Sequence, residues 1–500
     1  MSQVYATPGV YIEEKNAFPS SAVAVATAVP AFIGYTEKHL DGNKTLLNTP
    51  TRITSLAEYH QYFGKGPQTK FTISANPDTK FTLTPVATTL FNMYSSLRLF
   101  FANGGSTCYI VSVGNYDSTK GVEASILNPD TDGGLHTLLK EQEPTMLVIP
   151  DAVLLAEDDC YSLQQSMLMH CGVDMRNRVA LLDVFDGFKE PKDVIEKFRS
   201  GIGNNNLQWA AAYYPWVETT IVTENEVDLG NIDKPDGDLK TVLTTEAKLM
   251  YPQIPDKAGT YNDDPKLAII IAEIDKLATS PLDSSLHQTL LAKIPLYKSI
   301  MGDLRKQLNI LPPTGGMAGV ISTIDQTAGV AKSPANVSMA RVIKPTVNIT
   351  NPMQEDLNLP LTGKAINAIR TFPSKGVLVW GARTLDGNSQ DWRYLSVRRT
   401  IIMIEQSLKI AAEAYVFEPN TSNTWITLKG TMVNFLTDQW KRGSLAGTQP
   451  EDAFSVDIGL GTTMTPTDIL DGIMNISIKL AVVRPAEFIV ITIQQQMQKS

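Results

Sequence analysis

The chain predicts a multidomain protein of the α+β / α/β class, and three observations carry that reading. Residues Met146 to about Trp216 alternate strand-like and helix-like patterns. The flanking segments are richer in strand patterns. The two extreme ends hold short β-prone pieces with too few apolar groups to fold alone.

At the N-terminus, Val4-Tyr5 and Val10-Tyr11-Ile12 surround Thr7-Pro8-Gly9. Pro fixes φ and Gly takes φ > 0, which suits a type II turn. Ala22 to Thr36 and Phe71 to Thr84 read as strands, the second a hairpin turning at Asn76-Pro77-Asp78. Thr84-Pro85 then offers an N-cap with Pro at the first helical position. Val86, Leu90, Met93, Leu97 and Phe101 follow at helical spacing, and Gly104-Gly105 stops them. Cys108 to Val113 is the next strand.

In the middle, Met146 to Pro150, Val179 to Phe185 and Trp209 to Tyr214 read as strands. Glu157 to Cys171 and Pro191 to Gly201 read as helices, so a parallel sheet with helices on its faces is expected. Glu218 to Asp264 is rich in Asp, Glu, Gly and Pro and reads as a surface insertion or extended loops. Helical patterns resume from Lys266 to Leu311, with a break near Ser280-Pro281. In the last third, Ile401, Ile404, Leu408, Ala411 and Tyr415 mark one face of a long helix. Trp425 to Arg442 is a second, ending in cations and Gly443 as a helix C-terminus prefers. Met474 to Val482 alternates apolar and polar, a half-buried strand, and Glu487 to Ile493 is a short final strand.

Composition narrows the function. The 500 residues make room for roughly two to four domains. A net charge of −9 argues against a general nucleic-acid binder, which carries a basic face. Three cysteines, Cys108, Cys160 and Cys171, form no disulfide framework, so synthesis in a reducing cytoplasm is expected. The first residues lack the basic-then-apolar pattern of a secretory signal. The uncharged run Asn16 to Thr36 is broken by Pro19 and Pro30, and reads as buried strand, not as a membrane span. No direct membrane insertion is expected.

A search for chemistry yields little. No glycine fingerprint follows Met146 to Pro150. Gly315-Gly316-Met317-Ala318-Gly319 lacks the Lys and Ser/Thr of a phosphate loop and reads as a close-packed turn. Asn128 to Gly134 opens like a calcium loop, but its twelfth position is Leu139. The strongest enzyme case is acidic. Asp151, Asp183 and Asp186 lie at or near the ends of two expected parallel strands, where a metal-dependent hydrolase would bind its ion; the same residues also suit helix caps and turns. Cys160, His170 and Cys171 fit no standard zinc spacing. Five scattered histidines nominate no nucleophile–base pair. No cofactor and no enzymatic activity are expected.

Several stretches together resemble one family. They are YATPGVYIEE (Tyr5 to Glu14), VPAFIGYT (Val29 to Thr36), LFFANGGSTCYIVSV (Leu99 to Val113) and LPPTGGMAGVISTIDQTAGVAKSPAN (Leu311 to Asn336). INAIRTFPSKGVLVWGARTL (Ile366 to Leu385), RRTIIMIEQSL (Arg398 to Leu408) and KRGSLAGTQPEDAFSV (Lys441 to Val456) follow in order. The chain is similar here to the sheath proteins of contractile phage tails and contractile injection particles. Ala331-Lys332-Ser333 departs from the family's pattern, and Glu218 to Asp264 has no counterpart in it.

The resemblance implies an inner α+β domain built from N- and C-terminal segments, an inserted outer α/β domain, and β-strand arms at both termini. The expected boundaries are 1–20 for the first arm, 21–113 and 351–485 for the inner domain, 114–350 for the outer part and 486–500 for the last arm. The arms map to Val4, Tyr5, Val10, Tyr11 and Ile12, and to Phe488, Ile489, Val490, Ile491 and Ile493. The implied partners are further copies of this chain in stacked hexameric rings, an inner tube protein, and baseplate and terminal cap proteins, all within a phage tail or phage-tail-like particle. Lys441 and Arg442 are candidate tube contacts, or simply the cationic end of their helix. A tube or baseplate subunit of the same machine is the alternative structural role.

Overall fold

The computed structural model describes residues 22–129, 132–255, 261–262, 264–279 and 283–490. Its principal strands are β1 (Pro30–Thr36), β2 (Thr51–Ile53), β3 (Phe71–Asn76), β4 (Lys80–Pro85), β5 (Cys108–Asn115), β6 (Met146–Val148), β7 (Val179–Asp183), β8 (Ala210–Tyr214), β9 (Val337–Ser338), β10 (Asn367–Phe372), β11 (Gly376–Val379), β12 (Phe454–Asp457) and β13 (Ser477–Leu480). The principal helices are α1 (Leu56–Phe63), α2 (Met93–Ala102), α3 (Glu157–Met169), α4 (Pro191–Gly201), α5 (Asp238–Met250), α6 (Pro265–Asp275), α7 (Ser284–Lys293), α8 (Pro295–Leu308), α9 (Thr314–Ala328), α10 (Leu395–Glu413) and α11 (Ser422–Lys441).

The larger of two compact units takes Ala26–Arg399 together with the segment from Arg484. Its frame is a nine-stranded sheet in the order β9-β11-β10-β8-β7-β6-β1-β5-β2. β1 is buried at every position, as a strand covered on both faces must be. It runs parallel to β5 on one side and β6 on the other. The parallel run continues through β7, β8 and β10. At the two margins, β2 and the β11-β9 pair are antiparallel. The alternating middle section thus forms the parallel sheet expected of it, with α4 at the expected bounds.

The sheet joins segments that lie far apart along the chain. β1 lies between β5 and β6, so residues 21–113 share one sheet with the middle of the chain, and β10 and β11 from the 351–485 segment join the same sheet. The smaller unit is Thr400–Val483 with the described residues before Ala26. Backbone pairing across a continuous sheet, and not the order of segments along the chain, fixes where the units divide.

Residues 218–264 are also not the loops expected. α5 places Leu239, Val242, Leu243 and Ala247 in a hydrophobic core. That core is shared with Phe71, Ile73, Phe81 and Leu83 of the β3-β4 hairpin and with Ile270, Leu290, Tyr297, Ile300 and Leu304 of α6 to α8. Their helical spacing is hidden in sequence by the Asp, Gly and Pro residues around it.

Three local differences have clear causes. The helix expected from Pro85 starts only at Met93, because hairpin pairing carries on past the proline; Val86 N–H donates to the Lys70 carbonyl at 2.8 Å. Gly315 and Gly319 lie inside α9 and not in a turn. A Cβ on Gly315 would sit 2.5 Å from the Ser96 carbonyl oxygen, and one on Gly319 2.4 Å from that of Phe100. These glycines let α9 and α2 cross at backbone contact. The α3 helix continues into a π-helical turn, His170–Met175, closed by Arg176 at φ +56°.

The smaller unit holds α11, whose Leu428, Met432, Phe435 and Leu436 are buried, and an antiparallel pair, β12 with β13. The strand expected over Met474 to Val482 is confined to β13, yet its alternation survives: Ser477 and Lys479 are exposed, Ile478 and Leu480 partly buried.

Candidate assembly surfaces

The carboxylates that offered an enzyme reading are engaged within the fold. Asp151 is buried, and its Oδ1 accepts the N–H groups of Asn92 at 2.5 Å and Met93 at 3.2 Å. Its Oδ2 accepts from Tyr35 N–H at 3.4 Å. It therefore caps the start of α2, where unpaired N–H groups favour an acceptor. Gly34 makes room for it, since a Cβ there would lie 2.6 Å from Oδ2. Asp183 caps α9 in the same way. Thr314 N–H donates to Oδ1 at 3.0 Å, and the Thr314 hydroxyl to Oδ2. Burial pushes Asp151 up to about 6 and Asp183 up to about 7, against the lowering effect of these bonds. Asp186 turns the chain at φ +52° and pairs with Lys189 at 2.5 Å. A cleft of about 1030 Å³ beside it is lined by Asp186 but by neither Asp151 nor Asp183. The three carboxylates do not converge, which removes the basis of the hydrolase reading.

The cysteines and His170 have equally local roles. All three thiols are buried, and burial raises Cys160 and Cys171 well above the ordinary thiol range. His170 lies 3.4 Å from Arg178 Nη1, and burial with that cation pushes it down to about 3. Neutral His170 accepts from the guanidinium, which also donates to the carbonyls of Leu138 and Glu141. Among the described residues, no group of three or more His, Cys, Asp or Glu side chains could hold a metal ion.

Of the arm residues expected from sequence, Val4, Tyr5, Val10, Tyr11, Ile12, Ile491 and Ile493 lie outside the described residues. The described residues next to both of these segments make buried contacts. Near the N-terminus, Arg399 and Asp325 form a buried ion pair with two bonds, 3.0 and 2.5 Å. Arg399 Nη2 also donates to the Thr27 carbonyl at 2.7 Å, and the Thr27 hydroxyl donates to Asp325. Near the C-terminus, Arg383 grips Glu487. Its Nη2 donates to Oε2 at 2.5 Å and its Nε to Oε1 at 3.1 Å. Asn358 Nδ2 donates to Oε1 at 2.9 Å and the Tyr394 hydroxyl to Oε2 at 3.3 Å.

Immediately beyond this grip, Phe488, Ile489 and Val490 are 66, 79 and 88% exposed. With the described residues, 484–490 form no backbone–backbone hydrogen bond and no strand. The strand expected over Glu487 to Ile493 is thus unpaired within the described chain. Three successive apolar side chains in water are a marked departure from an ordinary surface. Sequence reading missed Arg383, Asn358 and Tyr394. The signal was there: Arg383 is a charge inside the otherwise apolar VLVWGARTL stretch.

The smaller unit offers an open sheet. β12 and β13 make a sheet of two strands among the described residues, so each leaves one edge unpaired. A two-stranded sheet is marginal by itself. At the end of α11, Lys441 and Arg442 are exposed. Arg442 N–H donates to the Asp438 carbonyl at 3.0 Å, and Gly443 at φ +77° closes the turn. The helix-end role is satisfied, and the two cations remain presented to solvent. No helix among the described residues is long and apolar enough to cross a membrane.

Among the described residues, the buried carboxylates cap helices, Phe488 to Val490 are exposed and the β12-β13 sheet has unpaired edges. Residues 388–496 match the phage tail sheath C-terminal domain. The tail sheath protein of Salmonella phage ViI is 30% identical over 118 residues, 23% of this chain and only 18% of that protein's length. Several solved structures match almost end to end, among them the following three. The PVC sheath complex of an extracellular contractile injection system, in its contracted state, is 25% identical with TM-score 0.59, over 99% of both chains. The contracted helical sheath of the anti-feeding prophage is 27% identical with TM-score 0.59, over 99% of this chain and 100% of that one. The contracted baseplate of that prophage is 26% identical with TM-score 0.62, over 98% of this chain and 99% of that one. Over nearly its whole length this chain is similar to the chains of contractile sheath and baseplate assemblies, and its residues 388–496 carry the match to the sheath C-terminal domain.

Proposed function

We propose that the protein polymerises into a helical sheath of stacked hexameric rings around an inner tube, and that contraction of the sheath ejects the tube. The observation that carries this reading is the pairing of an exposed apolar tail at Phe488 to Val490 with an open two-stranded sheet, β12-β13. A tail of one copy, added to the sheet edge of another, would gain backbone hydrogen bonds and cover alternate side chains. Each such bond nets about 0.5–1.5 kcal/mol. Val4, Tyr5, Val10, Tyr11 and Ile12 would serve a second neighbour in the same way, and Ile491 and Ile493 would complete the C-terminal strand. Such links keep neighbours joined while their bodies rotate. The energy of contraction comes from re-docking with more buried surface, so no nucleotide is needed. Exposed Lys441 and Arg442 would face an acidic tube.

Electron microscopy of the purified protein tests this: tubes or stacked rings are expected, and a persistent monomer at high concentration contradicts it. The likeness to chains of a baseplate assembly favours a second reading, a terminal ring at the baseplate. Single rings that never stack would select it.

A further inference from the structure

Arg383 is 1% exposed, and a guanidinium withdrawn from water needs an anion with good geometry. Among the described residues its carboxylate partner is Glu487, held by Nη2 to Oε2 at 2.5 Å and by Nε, which lies 3.1 Å from Oε1 and 3.2 Å from Oε2. Its remaining Nη1 donates to the Asn358 carbonyl at 3.0 Å, on the residue whose side-chain amide also binds Glu487.

We propose that Arg383, aided by Asn358 and Tyr394, is the positioning residue that anchors the root of the C-terminal arm. Pull exerted on the arm by a second copy of this chain then passes through the Glu487 carboxylate into the nine-stranded sheet. The inference rests on the reading of the tail as an arm, and adds where the arm is fixed and by what.

The route inward is continuous. Arg383 N–H donates to Asn367 Oδ1 at 2.7 Å. Asn367 Nδ2 donates in turn to the Arg383 carbonyl at 2.8 Å and to the Ala212 carbonyl at 3.1 Å. Asn367 opens β10 and Ala212 lies within β8, two adjacent strands of the sheet. The route outward ends as abruptly. Past Glu487 the described chain makes no backbone hydrogen bond and its side chains stand in water. The described hydrogen bonds therefore stop at Glu487, and a neighbour that takes up the tail would be held within a set radius of that root.

Glu487→Gln keeps an acceptor oxygen for the buried Arg383 guanidinium, and the Glu487 side chain is itself 22% exposed at the surface. The body should then stay folded while the root comes loose. The test compares full-length wild type, Glu487→Gln, Glu487→Asp and a deletion of Phe488 to Ser500. The readouts are the critical concentration for polymerisation, by sedimentation, and the melting temperature of the unassembled chain.

For Glu487→Gln the critical concentration is expected to rise about tenfold or more. Its melting temperature should stay within about 1 °C of wild type. Glu487→Asp keeps the charge and should fall between the two. Wild-type assembly by Glu487→Gln, beside a deletion that cannot assemble, overturns the anchor and leaves the arm standing. A fall in melting temperature that accounts for the assembly defect reduces the pair to a structural contact and also overturns the anchor. Wild-type assembly by the deletion overturns the arm reading, and the anchor with it.

Discussion

Asp183 at the end of β7 accepts both the backbone N–H and the hydroxyl of Thr314, which lies 131 residues later at the start of α9. One carboxylate thus ties the parallel sheet to the helix that crosses α2 at its glycines. Asp151 does the same for α2. These residues looked like an active site because strand ends in open α/β sheets commonly bind ligands. Here the ligands are helix N-termini of the protein itself.

An amide can replace the Asp183 carboxylate in this geometry. Asp183→Asn keeps an acceptor for Thr314 N–H and offers a donor to its hydroxyl oxygen, and is expected to fold and assemble as wild type. Asp183→Leu leaves the Thr314 N–H without a partner and should cost about 1–3 kcal/mol in urea unfolding. Equal losses in both variants would contradict the capping role.

Stability should depend on pH through the same two groups. Burial raises Asp151 to about 6 and Asp183 to about 7, above the value of about 3.9 in an unfolded chain. Their contribution is fully present below about pH 4 and is lost as pH rises through 6 and then 7. The urea midpoint of wild type should therefore drop more between pH 5 and pH 8 than that of Asp183→Asn. Parallel pH profiles for the two proteins would exclude the assignment for Asp183.

The α2–α9 crossing tolerates no added carbon. A Cβ on Gly319 would meet the Phe100 carbonyl oxygen at 2.4 Å, a fixed backbone atom and not a movable side chain. Gly319→Ala is expected to lose about 1–3 kcal/mol by overpacking, despite alanine's better helix propensity. A gain in thermal stability would show that the helices can separate at no cost.

The Arg399–Asp325 pair is almost fully buried, with side chains 3 and 4% exposed. Asp325→Leu alone strands the guanidinium and should cost about 3–5 kcal/mol. Adding Arg399→Met to that variant should restore most of the loss. Failure of the second change to recover stability would mean that the bond from Arg399 to the Thr27 carbonyl matters more than the ion pair.

The parallel middle of the sheet was legible in sequence because continuous apolar runs such as Val179 to Leu182 alternate with helical spacing over short connections. The hairpin at Phe71 was equally clear from its Asn-Pro-Asp turn. The unit boundary was not. Nothing local in Pro30–Thr36 says that its neighbours are Cys108–Asn115 and Met146–Val148, since pairing is decided by long-range contacts. Helix α5 was hidden because its four core residues sit in an acidic, Gly- and Pro-rich context. Phe488, Ile489 and Val490 were legible as apolar strand formers, but the grip on Glu487 beside them was not. Arg383 and Glu487 are 104 residues apart, and no spacing rule links them.

The central claim is that copies are joined by donated strands. A structure of the assembled polymer, resolved well enough to trace side chains, tests it most directly. The account predicts that residues from Phe488 onward in one copy lie as a strand along the free edge of β12 or β13 in another, with Glu487 still held by Arg383 at the root. Both edges left open to solvent, or filled by the same chain's own tail, would contradict it.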